Sequence, residues 1–221
     1  MVKLYDYLFK IIFIGETNSG KTSIINKLCK EGVTTHTITT NPCPTIGVDY
    51  ASFYHDITNK IIDEEKIKDG KIKCQIWDTA GQEKFAPIIR SYYNNIAAAI
   101  IVYDISDYKS FKKVDFWLND LDGYGKGENI IKIIIGNKTD KSRRVTTIQG
   151  KQLADKNNAL FFETNINDNK SIEHMITNAI LEVYKKKIIY KASHRGSKEM
   201  DILLGNFINK YVELFNKNEL Q

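Results

Sequence analysis

A glycine-bounded segment near the start of the chain has the residue types that bind phosphate. Residues 15–22 read G-x-x-x-x-G-K-T. In this pattern the glycines let several backbone N–H groups face one point, the lysine reaches the outer phosphates, and the last hydroxyl ligates Mg²⁺. A ligand-free glycine turn before a helix is the alternative for this motif alone. The candidate binding residues of this segment are Gly15, Thr17, Asn18, Ser19, Gly20, Lys21, Thr22 and Ser23.

A second polar segment follows the apolar run that ends at Trp77 and reads D-x-x-G-Q. The carboxylate of Asp78 can hold the metal shell, and the N–H of Gly81 can approach a terminal phosphate. Gln82 is suited to orient an attacking water. The segment therefore predicts a sensor for the terminal phosphate of a nucleotide.

A third polar segment, N-K-x-D, gives a candidate base-recognition site at Asn137, Lys138 and Asp140. The Asp140 carboxylate can accept hydrogen bonds from the N1–H and N2–H₂ donors of guanine, and it would repel the N1 acceptor of adenine. Alone, this pattern is weak and usually marks a loop. After a phosphate loop and D-x-x-G, it predicts a guanine-nucleotide site.

The elements that would position these residues alternate between apolar strands and helices. The predicted strands are 8–14, 50–55, 72–77, 97–103, 130–135 and 160–162, and the predicted helices are 23–28, 110–121, 147–157 and 171–187. Residues 31–44 are predicted to form a loop. Such alternation predicts an α/β fold with a mostly parallel central sheet and helices on both faces. Each polar segment then lies at the carboxyl end of a strand, where ligands bind in such sheets.

Composition excludes several functional classes. The chain has 221 residues, of which 42% are hydrophobic, so it can hold one substantial domain and an appendage. A net charge of +5 is modest, and we expect no nucleic-acid partner. The three cysteines lie far apart and the four histidines lack metal-ligand spacing, so we expect reduced thiols and no zinc site. The first residues lack the apolar core of a signal peptide, and we expect a cytoplasmic protein.

The three polar segments together show a resemblance to a known family. From Leu8 to Lys187, the sequence resembles the Ras-like small GTPases, and most closely the Rab branch. The resemblance implies a P-loop NTPase fold over residues 1–187, bound GTP or GDP with Mg²⁺, and a switch that slowly hydrolyses GTP. The segments that carry it are 45–50 (TIGVDY), 77–85 (WDTAGQEKF), 91–93 (SYY), 102–104 (VYD), 136–140 (GNKTD) and 162–164 (FET).

The resemblance also assigns roles to residues outside the three segments. It makes Thr45 the switch threonine that ligates Mg²⁺ when GTP is bound. The implied metal ligands are thus Thr22, Thr45 and Asp78, and the implied catalytic residues are Gln82, Lys21 and Thr45. Effectors, an exchange factor and a GTPase-activating protein would bind the switch regions. Effector binding would use an aromatic triad, predicted as Tyr50, Trp77 and Phe85, for which ordinary core packing is the alternative.

Several positions depart from the family pattern. The third guanine motif of the family, Thr-Ser-Ala-Lys, reads TNIN over 164–167, so we expect Asn165 and Ile166 to contact the base with reduced affinity. Thr17 stands where many relatives have a smaller residue, which predicts moderately slower hydrolysis. No arginine occurs between Lys21 and Thr45, so this loop supplies no arginine finger. Two alternatives stay open: a non-hydrolysing guanine-nucleotide binding module, and an adaptor that acts through its tail.

The C-terminal segment 188–221 differs most from Rab proteins. No cysteine follows Cys74 and the N-terminus lacks Met-Gly, so we expect no lipid anchor. The segment resembles the start of the succinate dehydrogenase flavinylation factors, whose R-G-x-x-E signature appears as Arg195, Gly196 and Glu199. Apolar residues at 200, 203, 204, 207, 208, 211, 212 and 215 have helical spacing. This predicts a helical extension that docks on the GTPase domain or mediates self-association.

Overall fold

The computed structural model describes residues 4–31, 45, 47–62, 65–125 and 130–193. Most of the loop predicted over 31–44, and the amphipathic stretch at 200–215, lie outside these ranges. Within the described residues, no helix is both long enough and apolar enough to cross a lipid bilayer.

The described strands form one large sheet and one small hairpin. The large sheet has the order β2-β5-β1-β6-β7-β8, in which β2 is antiparallel to β5 and the other neighbours are parallel. The predicted α/β class with a mostly parallel sheet is therefore confirmed. The strands are β1 (Tyr7–Ile14), β2 (Val48–Asp56), β3 (Ile61–Ile62), β4 (Glu65–Lys66), β5 (Lys71–Thr79), β6 (Ala98–Asp104), β7 (Ile131–Asn137) and β8 (Leu160–Thr164).

The described helices cover both faces of the sheet, as the alternating pattern predicts. Helices α1 and α6 pack on one face, and α2, α4 and α5 pack on the other. The whole of β6 is buried, which explains why this strand is a continuous apolar run. The helices are α1 (Lys21–Glu31), α2 (Ala86–Arg90), α3 (Tyr108–Lys112), α4 (Val114–Tyr124), α5 (Thr147–Lys156) and α6 (Asn169–Ser193), and a 3₁₀ turn (Glu83–Phe85) precedes α2.

Local signals explain several element boundaries. Helix α5 begins at a capping box in which Thr146 and Gln149 satisfy each other's backbone N–H groups. The helix predicted over 110–121 is instead two helices, which meet at Lys113. The first of these helices begins at Tyr108, two residues before the predicted start. It begins there because Asp107 caps its first turn, with a side chain that accepts from the N–H of Lys109.

Candidate functional site

The phosphate-type loop lies between β1 and α1, at the carboxyl end of the central strand. The ammonium of Lys21 is buried beneath it and donates to the carbonyl oxygens of Gly15 and Glu16, at 2.9 and 3.0 Å. Burial lowers the pKa of Lys21 to about 8, against the attraction of Asp78 and Glu16. An anion bound in the loop would favour the charged form of this lysine.

Two hydroxyl groups of the loop are buried without a hydrogen-bond partner among the described residues. They are Thr17 Oγ1 and Ser19 Oγ. Buried polar atoms are normally paired, so these hydroxyls fit a site whose ligand supplies acceptor atoms. Ser23, the third residue of α1, is exposed. The predicted binding residues 15–23 thus form one loop and helix start.

The three predicted metal ligands lie within hydrogen-bond distance of one another. Thr22 Oγ1 donates to Asp78 Oδ2 at 2.5 Å and lies 3.1 Å from Thr45 Oγ1, which is 3.5 Å from the same carboxylate oxygen. The other oxygen, Asp78 Oδ1, is buried without a partner among the described residues. Burial raises the pKa of Asp78, and the Thr22 hydroxyl and Lys21 oppose the shift. Hard oxygen donors around an under-compensated carboxylate fit Mg²⁺.

The D-x-x-G-Q segment lies against the phosphate loop. A Cβ atom added at Gly81 would lie 2.3 Å from the backbone nitrogen of Thr17, so only glycine permits this approach. Gln82 follows in an extended conformation, half-buried, and precedes the 3₁₀ turn. The structure therefore places Gly81 against the phosphate loop, and Gln82 follows it directly in the chain.

The base-recognition segment is tied to the phosphate loop by side chains. Asn137 donates from Nδ2 to the carbonyl of Ser19 at 2.9 Å and accepts from the hydroxyl of Thr164 at 3.1 Å. Lys138 donates to the carbonyl of Asn18 at 2.5 Å. Asp140 is exposed at the rim. These bonds hold the base-reading loop, the phosphate loop and the end of β8 together.

The third motif, residues 164–167, which departs from the family pattern, forms a loop that is fixed by hydrogen bonds. Asn165 accepts from the N–H of Asn167 at 2.9 Å, and its own N–H donates to Ser171 Oγ at 3.3 Å. Ile166 is 41% exposed, and its loop is joined to the loop of Asp140 by a hydrogen bond from the Thr139 N–H to the Thr164 carbonyl at 3.3 Å. The bulky Ile166 side chain is thus partly exposed, whereas the backbone N–H and carbonyl of Asn165 are held by Ser171 and Asp168.

Asp104 is a site residue that the motif analysis did not single out. Its carboxylate pairs with Lys138 at 2.6 Å and accepts from the N–H and hydroxyl of Ser106 at 2.8 and 2.6 Å. These hydrogen bonds and the Lys138 charge outweigh burial, and they lower the pKa of Asp104. Its position at the end of β6, between the two polar loops, is the signal that would have identified it.

The structure differs from the predicted aromatic triad in its third ring, which is Tyr92 and not Phe85. The ring of Trp77 contacts Tyr50 at a centroid distance of 5.3 Å and Tyr92 at 4.8 Å. Among the described residues, Phe85 forms no ring pair with Trp77, Tyr50 or Tyr92, although it packs against the same core cluster as Trp77. The sequence prediction placed the third ring too early, because the length of the turn before α2 is not visible in the sequence.

Known proteins match almost the whole chain. A family model described as "Ras family" matches residues 10–185. "Ras-related protein RABA6b" of Arabidopsis thaliana is 35% identical over 83% of this chain and 76% of its own length. "Ras-related protein Rab11B" of Nicotiana tabacum is 33% identical over 93% of this chain and 88% of its own length. "Ras-related protein RIC1" of Oryza sativa subsp. japonica is 41% identical over 76% of this chain and 77% of its own length.

A second family model matches the C-terminal segment. It is described as "Flavinator of succinate dehydrogenase" and covers residues 186–221. The two matches meet within helix α6, which runs from Asn169 to Ser193. Both resemblances noted in the sequence are therefore confirmed, and a continuous helix joins the two segments.

Proposed function

We propose that this chain, which belongs to the Ras family and is similar to Rab proteins, is a guanine-nucleotide switch. It would hydrolyse GTP slowly and with Mg²⁺. One observation carries the proposal: the buried lysine, the cluster of oxygen donors and the base-reading loop lie together at the carboxyl edge of one sheet. The buried atoms Thr17 Oγ1, Ser19 Oγ and Asp78 Oδ1 have no partner among the described residues and would be costly without a ligand, because buried polar groups need partners.

Nucleotide binding would use the phosphate loop and the base-reading loop at once. The backbone N–H groups of 17–23 and the Lys21 ammonium would hold the phosphates, and Asp140 would read guanine. Asn137 and Lys138 act by fixing the loops, since their described bonds run to Ser19 and Asn18. The N–H of Ile166 would complete the base site, because the N–H of Asn165 donates to Ser171 Oγ.

The metal site would consist of Thr22 and Thr45 hydroxyls with Asp78 nearby. A bound Mg²⁺ would neutralise phosphate charge. Thr45 joins this cluster from a segment that is far away in sequence from the phosphate loop. Its hydroxyl would therefore link the first switch to the nucleotide, and loss of the terminal phosphate would release it.

Hydrolysis would depend on Gln82, which would orient the attacking water beside the Gly81 N–H. Positioning without an arginine finger gives intrinsic rates on the order of 10⁻⁴ to 10⁻³ s⁻¹. Effectors, an exchange factor and a GTPase-activating protein would bind the switches and the Tyr50–Trp77–Tyr92 aromatic cluster. The cluster is suited to this role because Tyr50 is 43% exposed.

A single-turnover assay on the full chain tests the proposal. GTP-loaded protein should release phosphate at the rate given above with Mg²⁺, and chelation of Mg²⁺ should abolish release. ATP should not displace labelled GDP. Tight GTP binding with no phosphate release above the protein-free control would instead establish the non-hydrolysing binding module. Equal displacement by ATP would refute guanine recognition by Asp140.

A further inference from the structure

One half of the sheet presents aromatic rings and lysine side chains on the side away from α1 and α6. Alternate residues of β5 point into the core, where Ile72, Cys74 and Ile76 are fully buried. On the opposite face of β5, the register pairs Lys73 with Tyr54, Gln75 with Ser52 and Trp77 with Tyr50 of β2. We call this surface the aromatic–lysine face, and it consists of Tyr5, Lys10, Tyr50, Tyr54, Lys73 and Trp77.

Both lysines of the aromatic–lysine face lie over aromatic rings. Lys10 Nζ is 5.3 Å from the centre of the Trp77 ring, and Lys73 Nζ is 5.8 Å from the rings of Tyr5 and Tyr54. Burial lowers the pKa of Lys10, so a nearby anion would stabilise its charged form. The face thus fits an apolar stripe that is flanked by carboxylates.

The C-terminal segment of the same chain has this chemistry. Residues 199–221 contain four acidic and two basic residues, a net charge of −2. The apolar positions from 200 to 215 recur at helical spacing, and a helix of this length is about 22 Å long. Glu199, Asp201 and Glu213 lie close to this stripe in sequence.

The chain is long enough for the segment to reach the face. Helix α6 leaves the core at the edge opposite to the nucleotide site, where Tyr184 packs edge-to-face on Tyr7 of β1 at 5.1 Å. Ser193 lies nine residues, about 14 Å of helix, beyond Tyr184. Seven residues from Ser193 to Met200 span up to roughly 25 Å, more than the roughly 17 Å that this overhang and a sheet thickness of about 10 Å require together. The face extends about 13 Å from the Tyr54 row to the Tyr50 row, so a 22 Å helix covers it.

We propose that residues 199–221 dock on the aromatic–lysine face of their own chain, with their carboxylates against Lys10 and Lys73. The docked segment covers Tyr50 and Trp77, the rings that the proposed effectors contact. The segment is therefore an autoinhibitory element that a partner must displace. This regulatory consequence rests on the proposed function, whereas the docking itself does not.

Tryptophan quenching in the full chain tests the docking. The chain has two tryptophans, and Trp117 is 1% exposed, so acrylamide quenching reports mainly on Trp77. In the variant Leu204→Glu/Phe207→Glu, the quenching constant should rise about twofold, because one face of the indole ring becomes accessible. Trp77→Phe supplies the Trp117 background. The matched control Asn206→Glu/Asn209→Glu adds the same charge outside the apolar stripe and should leave quenching unchanged.

Zero-length carbodiimide cross-linking identifies the occupant. Docking predicts amide links from Lys10 or Lys73 to tail carboxylates within monomeric chains, and Lys73→Glu should remove the Lys73 links. Lys151→Glu, on the exposed surface of α5, is the control and should leave them intact. Links confined to dimers would show that a second copy occupies the face, and would refute the intramolecular proposal. An equal quenching constant in Leu204→Glu/Phe207→Glu, or tail links only to other lysines, would also refute it.

GTP hydrolysis separates this inference from the proposed function. The variant Leu204→Glu/Phe207→Glu should hydrolyse GTP at the parental intrinsic rate, because the tail lies outside the nucleotide site. Absence of hydrolysis in the parental chain, with intact tail links, would refute the proposed function and leave the docking standing. Parental hydrolysis without tail links would refute the docking alone.

Discussion

Replacement of Gly81 by alanine should separate nucleotide chemistry from folding. The added Cβ would lie 2.3 Å from the Thr17 nitrogen and 2.5 Å from the Glu16 carbonyl carbon, about 1 Å short of an ordinary contact. Both neighbours are backbone atoms of the phosphate loop, so no side-chain rotation relieves the clash. Either the loop or the segment that carries Gln82 must move.

The expected effect follows from that displacement. A shift of about 1 Å in a positioning group can cost on the order of 100-fold in rate, so intrinsic GTP hydrolysis should fall by about that factor. Overpacking destabilises a protein by about 1–3 kcal/mol, which thermal unfolding of the GDP-bound form would detect. Single-turnover phosphate release and melting temperature should therefore be measured on the same preparation.

The chain offers a matched control at Gly123 in α4. A Cβ atom added there meets nothing within 4 Å. Gly123→Ala should keep the parental hydrolysis rate and raise stability by about 0.5–1 kcal/mol, because alanine favours the helix. If Gly81→Ala hydrolysed GTP within twofold of the parental rate and melted at the same temperature, the close approach of the switch to the phosphate loop would be wrong.

Three further substitutions test other parts of the site and fold. Asp140→Asn should weaken GTP binding by about tenfold or more and favour xanthine nucleotides in competition assays; unchanged selectivity would contradict base reading by this carboxylate. Gln82→Leu should slow single-turnover hydrolysis by about tenfold or more, and a parental rate would exclude water positioning by Gln82. Burial, opposed by Glu173, lowers the pKa of His55 below 6.5, so the unfolded chain takes up a proton first and stability falls as pH drops below that value. His55→Gln should therefore lose less melting temperature on acidification than the parental chain, and an equal loss would exclude this cause.

The positions of the polar segments could be predicted because they follow from strand order. Asp78 and Asn137 each come after a buried apolar run, and parallel strands end at one edge of a sheet. The structure brings both to the loop at Lys21, as this logic requires. The sequence alone was therefore enough to predict that these polar segments lie together at one edge of the sheet.

Features that depend on local chain length were not readable from the sequence. Lys113 interrupts a continuous apolar pattern with no helix breaker, so the division between α3 and α4 has no sequence signal. The third ring of the aromatic cluster is Tyr92 because a 3₁₀ turn and α2 place it beside Trp77. Asp104 was missed because a carboxylate after an apolar strand has no motif of its own, although Lys138 pairs with it.

The short helix α2 shows how the switch and the aromatic cluster are mechanically connected. Five residues cannot form a stable helix alone, so tertiary contacts must hold α2 in place. Arg90 pairs with the buried carboxylate of Asp120 at 2.6 Å, and the Tyr93 hydroxyl donates to the same carboxylate at 3.1 Å. Tyr92, between them in sequence, packs on Trp77. A movement that begins at residues 78–82 must therefore either break the contacts of Asp120 or pass through α2 to the ring of Trp77.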